Sequence, residues 1–104
     1  MGRIAAVSYR KGRRLEHRVR DIFRRRGWVV VRAAGSKPVD LVCLKRGEAV
    51  LVECKYGVTA ARWSEVAPLL DIAYTAGARP VLAVAGKRGE VRMIDVEAGS
   101  DFKP

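Results

Sequence analysis

Residues 35–55 read GSKPVDLVCLKRGEAVLVECK, which is two apolar runs separated by a short polar segment. The runs are residues 41–44 and 49–52, and the segment between them contains Arg46 and Gly47. Apolar runs bounded by glycine-containing polar turns are typical of a β-hairpin. The pattern therefore predicts two neighbouring strands joined by a tight turn.

Charged residues mark one end of this predicted hairpin. Asp40 precedes the first run, and Glu53 and Lys55 follow the second. Because alternate residues of a strand share a face, Glu53 and Lys55 should project together, about 6.5–7 Å apart along the strand, while Cys54 points towards the core. Two carboxylates can hold a hard cation such as Mg²⁺, and a lysine beside them can orient a water. A structural ion-pair cluster explains the same charges, so both interpretations stay open on these residues alone.

The charge of the chain indicates a polyanionic partner. Its 104 residues contain 21 Lys and Arg against 11 Asp and Glu, which gives a net charge of +10. Residues 1–26 carry ten basic and two acidic groups, so the positive surface is mainly an N-terminal feature. Arginine, which supplies 15 of the 21 basic residues, suits phosphate binding through its planar fork. Nucleic acid is therefore the expected partner.

Neither the cysteines nor the apolar segments point to secretion or to a membrane. Cys43 and Cys54 form no disulfide framework and no metal-binding motif, and each fits an apolar strand. The apolar residues 4–7 are too few for a signal peptide, and no run approaches the length of a membrane span. We expect an intracellular protein with no membrane partner.

A basic amphipathic helix is predicted over residues 13–26, after a loose basic arm at residues 1–9. Its apolar stripe follows helical spacing, and Gly27 suits the C-terminal end. Glu16 borders that stripe. Spacing alone favours an intrahelical ion pair of Glu16 with Arg20 at i+4, although Glu16 could instead reach the predicted acidic cluster.

The remaining segments predict a second helix and three further strands. Residues 28–32 suggest a buried strand, and the loop that follows could meet a phosphate through Ser36 and Lys37 or be an ordinary connection. A helix over residues 60–76 contains Pro68, which lies near its first turn or kinks it. Strands are expected at 81–85 and 91–96, followed by a frayed tail at 97–104. Together these elements predict one α/β domain, residues 1–104, with a mixed five-stranded sheet and a parallel crossover between residues 50 and 84.

The ordered set of motifs resembles a known nuclease family. Pro38-Val39-Asp40, followed after twelve residues by Glu53-Cys54-Lys55, resembles the PD-(D/E)xK motif. Over roughly residues 9–96 the chain is similar to the archaeal Holliday-junction resolvases, through Glu16 in the first helix and further segments: Tyr9-Arg10-Lys11-Gly12, Val30-Val31-Arg32, Gly35-Ser36-Lys37, Val39-Asp40-Leu41-Val42 and Pro80-Val81-Leu82-Ala83-Val84. His17, after Glu16, and Pro68 depart from the family pattern.

This resemblance implies a fold, an activity and a set of residues. The fold is a restriction-endonuclease-like α/β core, and the activity is Mg²⁺-dependent cleavage of four-way junction DNA by a homodimer in recombination and repair. Mn²⁺ is a possible substitute, the products carry 5′-phosphates, and the location is the cytoplasm, at the nucleoid. The implied catalytic residues are Glu16, Asp40, Glu53, Lys55 and Ser36, with Asp40, Glu53 and Glu16 binding the metal. The expected DNA-binding residues are Arg10, Lys11, Arg13, Arg14, His17, Arg32 and Lys37.

Two alternative functions stay open at this point. One is a nuclease of the same superfamily that acts on other branched or duplex DNA, since a fold does not fix the substrate. The other is a non-catalytic nucleic-acid-binding protein that uses only the positive charge. For the dimer surface, Trp63, Leu69 and Tyr74 are candidates, although each also fits the core.

Overall fold

The fold is a sheet with one helix on each face. The computed structural model describes residues 2–33, 35, 38–56 and 63–104, with side chains described from residue 12 onward except those of residues 63–65. The elements in chain order are α1 (Gly2–Arg25), β1 (Val29–Arg32), β2 (Leu41–Lys45), β3 (Glu48–Tyr56), α2 (Trp63–Ala76), β4 (Arg79–Ala85), β5 (Val91–Asp95) and β6 (Ser100–Asp101).

The order of strands in the sheet is the same as their order in the chain, β1-β2-β3-β4-β5-β6. Every neighbouring pair is antiparallel except β3 and β4, which run parallel. Leu41 lies opposite Val52 in the β2–β3 pair, and Glu53 lies opposite Leu82 in the β3–β4 pair. The predicted hairpin and the predicted parallel crossover are both confirmed.

The turn of the hairpin has the backbone conformation that its sequence suggests. Lys45 pairs with Glu48, so Arg46 and Gly47 form a two-residue loop with φ of 48° and 82°. Two successive positive φ angles match the twist of the flanking strands, and glycine adopts such angles without steric cost. The register of β2 against β3 follows from this turn.

α1 covers one face of the sheet with the apolar stripe that the sequence predicts. Leu15, Val19 and Phe23 are buried in one cluster with residues from β2, β3 and β4, among them Cys43 and Val52. Removing apolar surface from water stabilises the folded state by about 25 cal/mol per Å², so the burial of this cluster is the main favourable contribution to folding on that face. It fixes α1 against the strands that carry Asp40 and Glu53.

α2 covers part of the other face. Leu69 and Ala73 pack against Val39 and Leu51. Pro68 lies within α2 and is exposed, so the proline ring adds nothing to this cluster. Among the described residues, the main contacts of α2 are with β3 and β4.

The first helix is longer than predicted. The sequence suggests a helix from Arg13 after a loose arm at residues 1–9, whereas α1 begins at Gly2 and continues through Gly12. In the sequence, the apolar stripe that predicts the helix begins at Leu15, so the pattern places the start of the helix too late.

The prediction of a buried strand at residues 28–32 is wrong for two of its valines. β1 is an edge strand, and Val29 and Val31 are 62% and 51% exposed. Both lie on the side of the sheet opposite to α1, where the main contacts of α2 are with β3 and β4. Apolar composition indicates a strand here but does not tell whether its outer face is covered.

The tail contributes a sixth strand to the sheet instead of fraying. Ser100 and Asp101 pair with β5, and the Phe102 ring packs edge-on against Phe23 and Trp28 at 5.9 and 6.4 Å between centroids. The sheet therefore has six strands and not five. Within the described part of the chain, neither helix has the length and apolar character of a membrane span.

Candidate active site

Asp40 is held at the edge of the sheet by hydrogen bonds from both sides. Its carbonyl oxygen accepts from the Ala33 amide at 2.9 Å, and its own amide donates to the Val52 carbonyl at 2.8 Å. Its side-chain Oδ2 accepts from the Cys54 amide at 2.7 Å. These bonds place the carboxylate beside Cys54, the residue between Glu53 and Lys55.

Glu53 and Lys55 lie on the same face of β3, as strand alternation predicts. Their partners on β4 are Leu82 and Val84. Glu53 is only 8% exposed, Lys55 is half-buried, and both side chains have interaction partners in the structure. Burying a carboxylate costs free energy unless donors or cations compensate, so apolar packing does not explain an acid at this position.

Glu16 reaches from α1 to the edge of the sheet. Its Oε2 lies 3.8 Å from the Arg32 guanidinium on β1. The expected partner Arg20 instead bonds Asp21 at 3.1 Å. The prediction of an intrahelical pair is therefore wrong, because the burial of the α1 stripe turns Glu16 towards the strands.

The Cys54 thiol reports how the three acids are arranged. Burial raises its pKa above the ordinary value, and the charges of Asp40, Glu16 and Glu53 raise it further, with a contribution from Cys43. Asp40 accepts a hydrogen bond from the Cys54 amide, and Glu53 precedes Cys54 on β3. The hairpin thus places Asp40 and Glu53 on either side of the same backbone amide, while Glu16 approaches from α1 through Arg32.

The chemistry of these side chains fits a hard cation. Carboxylate oxygens are ligands that Mg²⁺ accepts, and Mg²⁺ commonly uses one or two carboxylates together with waters and substrate phosphates. In the described ranges, no group of three or more His, Cys, Asp or Glu side chains is close enough to hold a metal. The ligand roles of Asp40, Glu53 and Glu16 therefore stay predictions.

The predicted DNA-binding residues differ in how the structure places them. On α1, Arg14 and His17 are exposed and Arg13 is half-buried. Arg32 is exposed on β1 and is oriented by Glu16. Four predicted side chains lie outside the described part: those of Arg10, Lys11, Ser36 and Lys37.

A family model described as archaeal Holliday junction resolvase (Hjc) matches residues 7–100 of this sequence. The chain belongs to the archaeal Holliday junction resolvase family. The match includes Glu16, Asp40, Glu53 and Lys55 and extends into β6. The family resemblance suggested by the sequence motifs is thereby confirmed.

Two known proteins illustrate the likeness. The crossover junction endodeoxyribonuclease Hjc of Methanocaldococcus jannaschii is 42% identical over 48 residues, which are 46% of this chain and 36% of that protein. The aligned segment thus spans about a third of the relative's length. The solved structure of Archaeoglobus fulgidus Hjc, described as a Holliday junction resolvase, superposes with a TM-score of 0.70 at 23% identity, covering 84% of this chain and 74% of that one. This second likeness confirms the α/β fold with helices flanking a mixed sheet.

The sequence motifs of this resolvase-family chain do not identify Arg18 or Gly89, which are in contact in the structure. The Arg18 guanidinium on α1 donates to the Gly89 carbonyl in the turn between β4 and β5. The sequence identifies residues 86–89 only as a turn. Because β3 and β4 run parallel, this turn lies at the same end of the sheet as Lys55.

Proposed function

We propose that this chain is a structure-selective DNA endonuclease that resolves four-way junctions by paired nicks in homologous recombination and repair. The observation that carries the proposal is the bond from the Cys54 amide to Asp40 Oδ2, which sets one carboxylate beside Glu53 and Lys55. The family membership supports the choice of substrate. The protein would act in the cytoplasm, at the nucleoid.

Each residue of the edge cluster has a role in the proposed reaction. Asp40 and Glu53 would hold Mg²⁺, or Mn²⁺ in its place, with Glu16 completing the acidic group. The bound cation would supply a lower pKa for the attacking water and charge stabilisation at the phosphodiester. Lys55 shares the face of Glu53, from which it would orient that water and stabilise the developing negative charge. Ser36 would lie beside the scissile strand, and the products would carry 5′-phosphate ends.

The positive charge of the chain would hold the substrate without reading its sequence. The net charge is +10, and the exposed residues Arg14 and His17 lie on the same helix as Glu16. Contacts between basic side chains and phosphates release counterions, so binding weakens steeply as salt rises. Contacts to the backbone position a protein on DNA without specifying bases. This form of binding suits an enzyme that recognises branch geometry.

The proposed enzyme is a homodimer, because paired nicks in opposed strands need two active sites. Val29 and Leu44 are directly paired on β1 and β2, and both side chains are exposed, as is that of Val31. Three large apolar side chains exposed on adjacent strands mark an interaction surface. We assign the subunit contact to this surface, called here the β1 edge patch (Val29, Val31, Leu44).

The proposal is tested by cleavage of an immobile four-way junction and of a linear duplex with the same arm sequence, each with Mg²⁺, with Mn²⁺ and with EDTA. The expected result is a pair of symmetric nicks on the junction alone, in either metal and not in EDTA. The variant Glu53→Gln should bind the junction without cutting it. The matched control is Glu48→Gln, a charge removal at the exposed start of the same strand.

Two other results would each replace the proposal. Metal-dependent cutting of junction and duplex at similar rates would indicate a nuclease of the same superfamily with another target. Binding that is equally tight in EDTA, with no cutting under any condition, would indicate a non-catalytic nucleic-acid-binding protein.

A further inference from the structure

The turn between β4 and β5, residues 86–90, lies at the same sheet edge as the candidate active site. β3 and β4 run parallel, and their last pair is Tyr56 with Ala85. The turn therefore begins immediately beyond the end of the strand that carries Glu53 and Lys55. Lys55 pairs with Val84, so Lys87 lies three residues beyond the partner of Lys55, in the turn that follows β4.

Two adjacent cations occupy the tip of this turn. Lys87 and Arg88 are both exposed. Among the described residues, neither side chain forms an ion pair or a hydrogen bond. Several other arginines of the sheet and of α1 do form ion pairs: Arg20, Arg32, Arg79 and Arg92. The two positive charges of the turn are thus available for an external anion.

The turn is held in one conformation by its own hydrogen bonds. The Gly86 amide donates to the Glu90 carbonyl at 2.8 Å, and the Gly89 amide donates to the Gly86 carbonyl at 3.1 Å. The Arg88 amide donates to Glu90 Oε2 at 3.1 Å, so the Glu90 carboxylate is engaged by the backbone of the turn. A ligand would therefore meet a preformed loop, which lowers the ordering cost of binding.

α1 fixes the position of the turn relative to the acidic cluster. The Arg18 guanidinium donates to the Gly89 carbonyl, and Arg18 lies two residues after Glu16 on the same helix. A single helix thus contacts both the turn and, through Glu16, the β1 side of the cluster. The turn and the candidate active site are parts of one packed unit.

We propose that Lys87 and Arg88 form a phosphate clamp that holds the DNA backbone beside the cleavage point. This inference rests on the nuclease function proposed above and adds a second basic contact surface to that of α1. The clamp fixes the register of the substrate strand against Lys55.

The test compares two variants that remove the same charge from opposite ends of the sheet. K87A/R88A removes the clamp. R46A/K103A removes two exposed cations near the far end, where Gly47, Glu48 and Lys103 line a common cleft. Junction affinity is measured in EDTA across a range of salt concentrations, which separates binding from cleavage. The clamp variant should bind roughly tenfold more weakly at about 0.1 M salt, and its log–log salt slope should fall by about two.

The far-end variant should keep a slope close to that of wild type. A charge-preserving swap, K87R/R88K, should restore affinity and slope, which a purely structural role of these side chains would not require. Equal losses in K87A/R88A and R46A/K103A would overturn the clamp, because net charge alone would then explain binding. So would an unchanged slope in K87A/R88A.

The outcomes also separate the clamp from the nuclease proposal. If wild type binds but never cuts, the nuclease function fails while a slope change specific to K87A/R88A still supports the clamp as a DNA contact. If wild type cuts junctions and K87A/R88A matches it in affinity and slope, only the clamp fails. A wild type that binds no DNA would overturn both.

Discussion

The carboxylate of Asp40 accepts a hydrogen bond from the backbone amide of Cys54 at 2.7 Å, which joins the start of β2 to the end of β3. The same carboxylate is one of the two main ligands proposed for the cation. One side chain therefore serves the architecture of the hairpin and the proposed chemistry, and the two contributions can be separated by substitution.

Asp40→Asn should separate them, because asparagine keeps an oxygen for the Cys54 amide but carries no charge. We expect a free energy of unfolding close to that of wild type and a loss of cleavage of roughly a hundredfold or more. Asp40→Ala should lose cleavage and also destabilise the fold by about 1–3 kcal/mol, because the Cys54 amide loses its acceptor. Urea unfolding and a junction-cleavage assay measure the two effects, with Glu97→Gln as an exposed control. Cleavage at the wild-type rate by Asp40→Asn would remove Asp40 from the proposed site.

Stability should fall at alkaline pH through the buried thiol of Cys43. Burial raises its pKa from 9.0 to about 12. Above pH 9 the unfolded chain releases this proton while the folded chain keeps it. The free energy of the unfolded state therefore falls relative to the folded state, and stability declines towards pH 12. The slope from this one group approaches 1.36 kcal/mol per pH unit.

The measurement is urea unfolding under reducing conditions at pH 8, 9 and 10 for wild type and Cys43→Ala. Titrations of lysine and tyrosine are common to both proteins, so they cancel in the difference. The stability of the alanine variant should decline less steeply with pH. Parallel declines would mean that the thiol ionises as easily in the folded chain as in the unfolded one.

Val31→Lys should disrupt the proposed dimer, because it places a charge in the β1 edge patch, where burial would require its desolvation. Light scattering after size-exclusion chromatography should give twice the chain mass of 11.5 kDa for wild type and a single chain mass for the variant. Tyr74→Lys tests the rival candidate surface on α2, where Tyr74 is 88% exposed and so does not belong to the core. If Tyr74→Lys gives monomers and Val31→Lys does not, the subunit contact lies on α2.

Phe102→Ala should destabilise the fold by about 2 kcal/mol. The ring packs against Phe23 and Trp28, and the Arg79 guanidinium lies 5.8 Å from its centroid. Replacing a fully buried phenylalanine with alanine lowers the free energy of unfolding by about 3–5 kcal/mol. Phe102 is half-buried, so a smaller loss is expected. Urea unfolding should show this loss, whereas Lys103→Ala should change stability by less than about 0.5 kcal/mol. Equal stabilities would show that the tail contributes little to the core.

The sequence predicts most of the fold because its strongest local signals agree with the packing. The two-residue turn at Arg46 and Gly47 sets the hairpin, and the stripe through Leu15 and Val19 sets the buried face of α1. The exposure of the β1 valines and the packing of Phe102 do not follow from the sequence, for a common reason. The local sequence of an edge strand, or of a polar tail with one aromatic residue, does not tell whether other parts of the chain cover it. Only the tertiary arrangement decides the burial of these side chains.

The candidate site was predictable to a different degree for each residue. Strand alternation places Glu53 and Lys55 together, and the hairpin adds Asp40. Spacing assigned Glu16 to the wrong partner, and only the family resemblance connected it with the acidic cluster. Lys87 could not be placed near Lys55 from local pattern, because that proximity depends on the register of a parallel pair whose strands are separated by a whole helix.

Because the sheet order follows the chain order, each strand closes onto the strand that precedes it during folding. Most of these closures are short hairpins, which cost little loop entropy and form quickly. The exception is β3 to β4, whose connection spans residues 57–78, includes α2, and therefore costs more loop entropy to close. Asp40 and Glu53 can therefore meet as soon as the β2–β3 hairpin forms, whereas Lys87 joins them only after the crossover. The proposed metal ligands thus lie within a local hairpin, whereas the proposed clamp depends on a long-range pairing of strands.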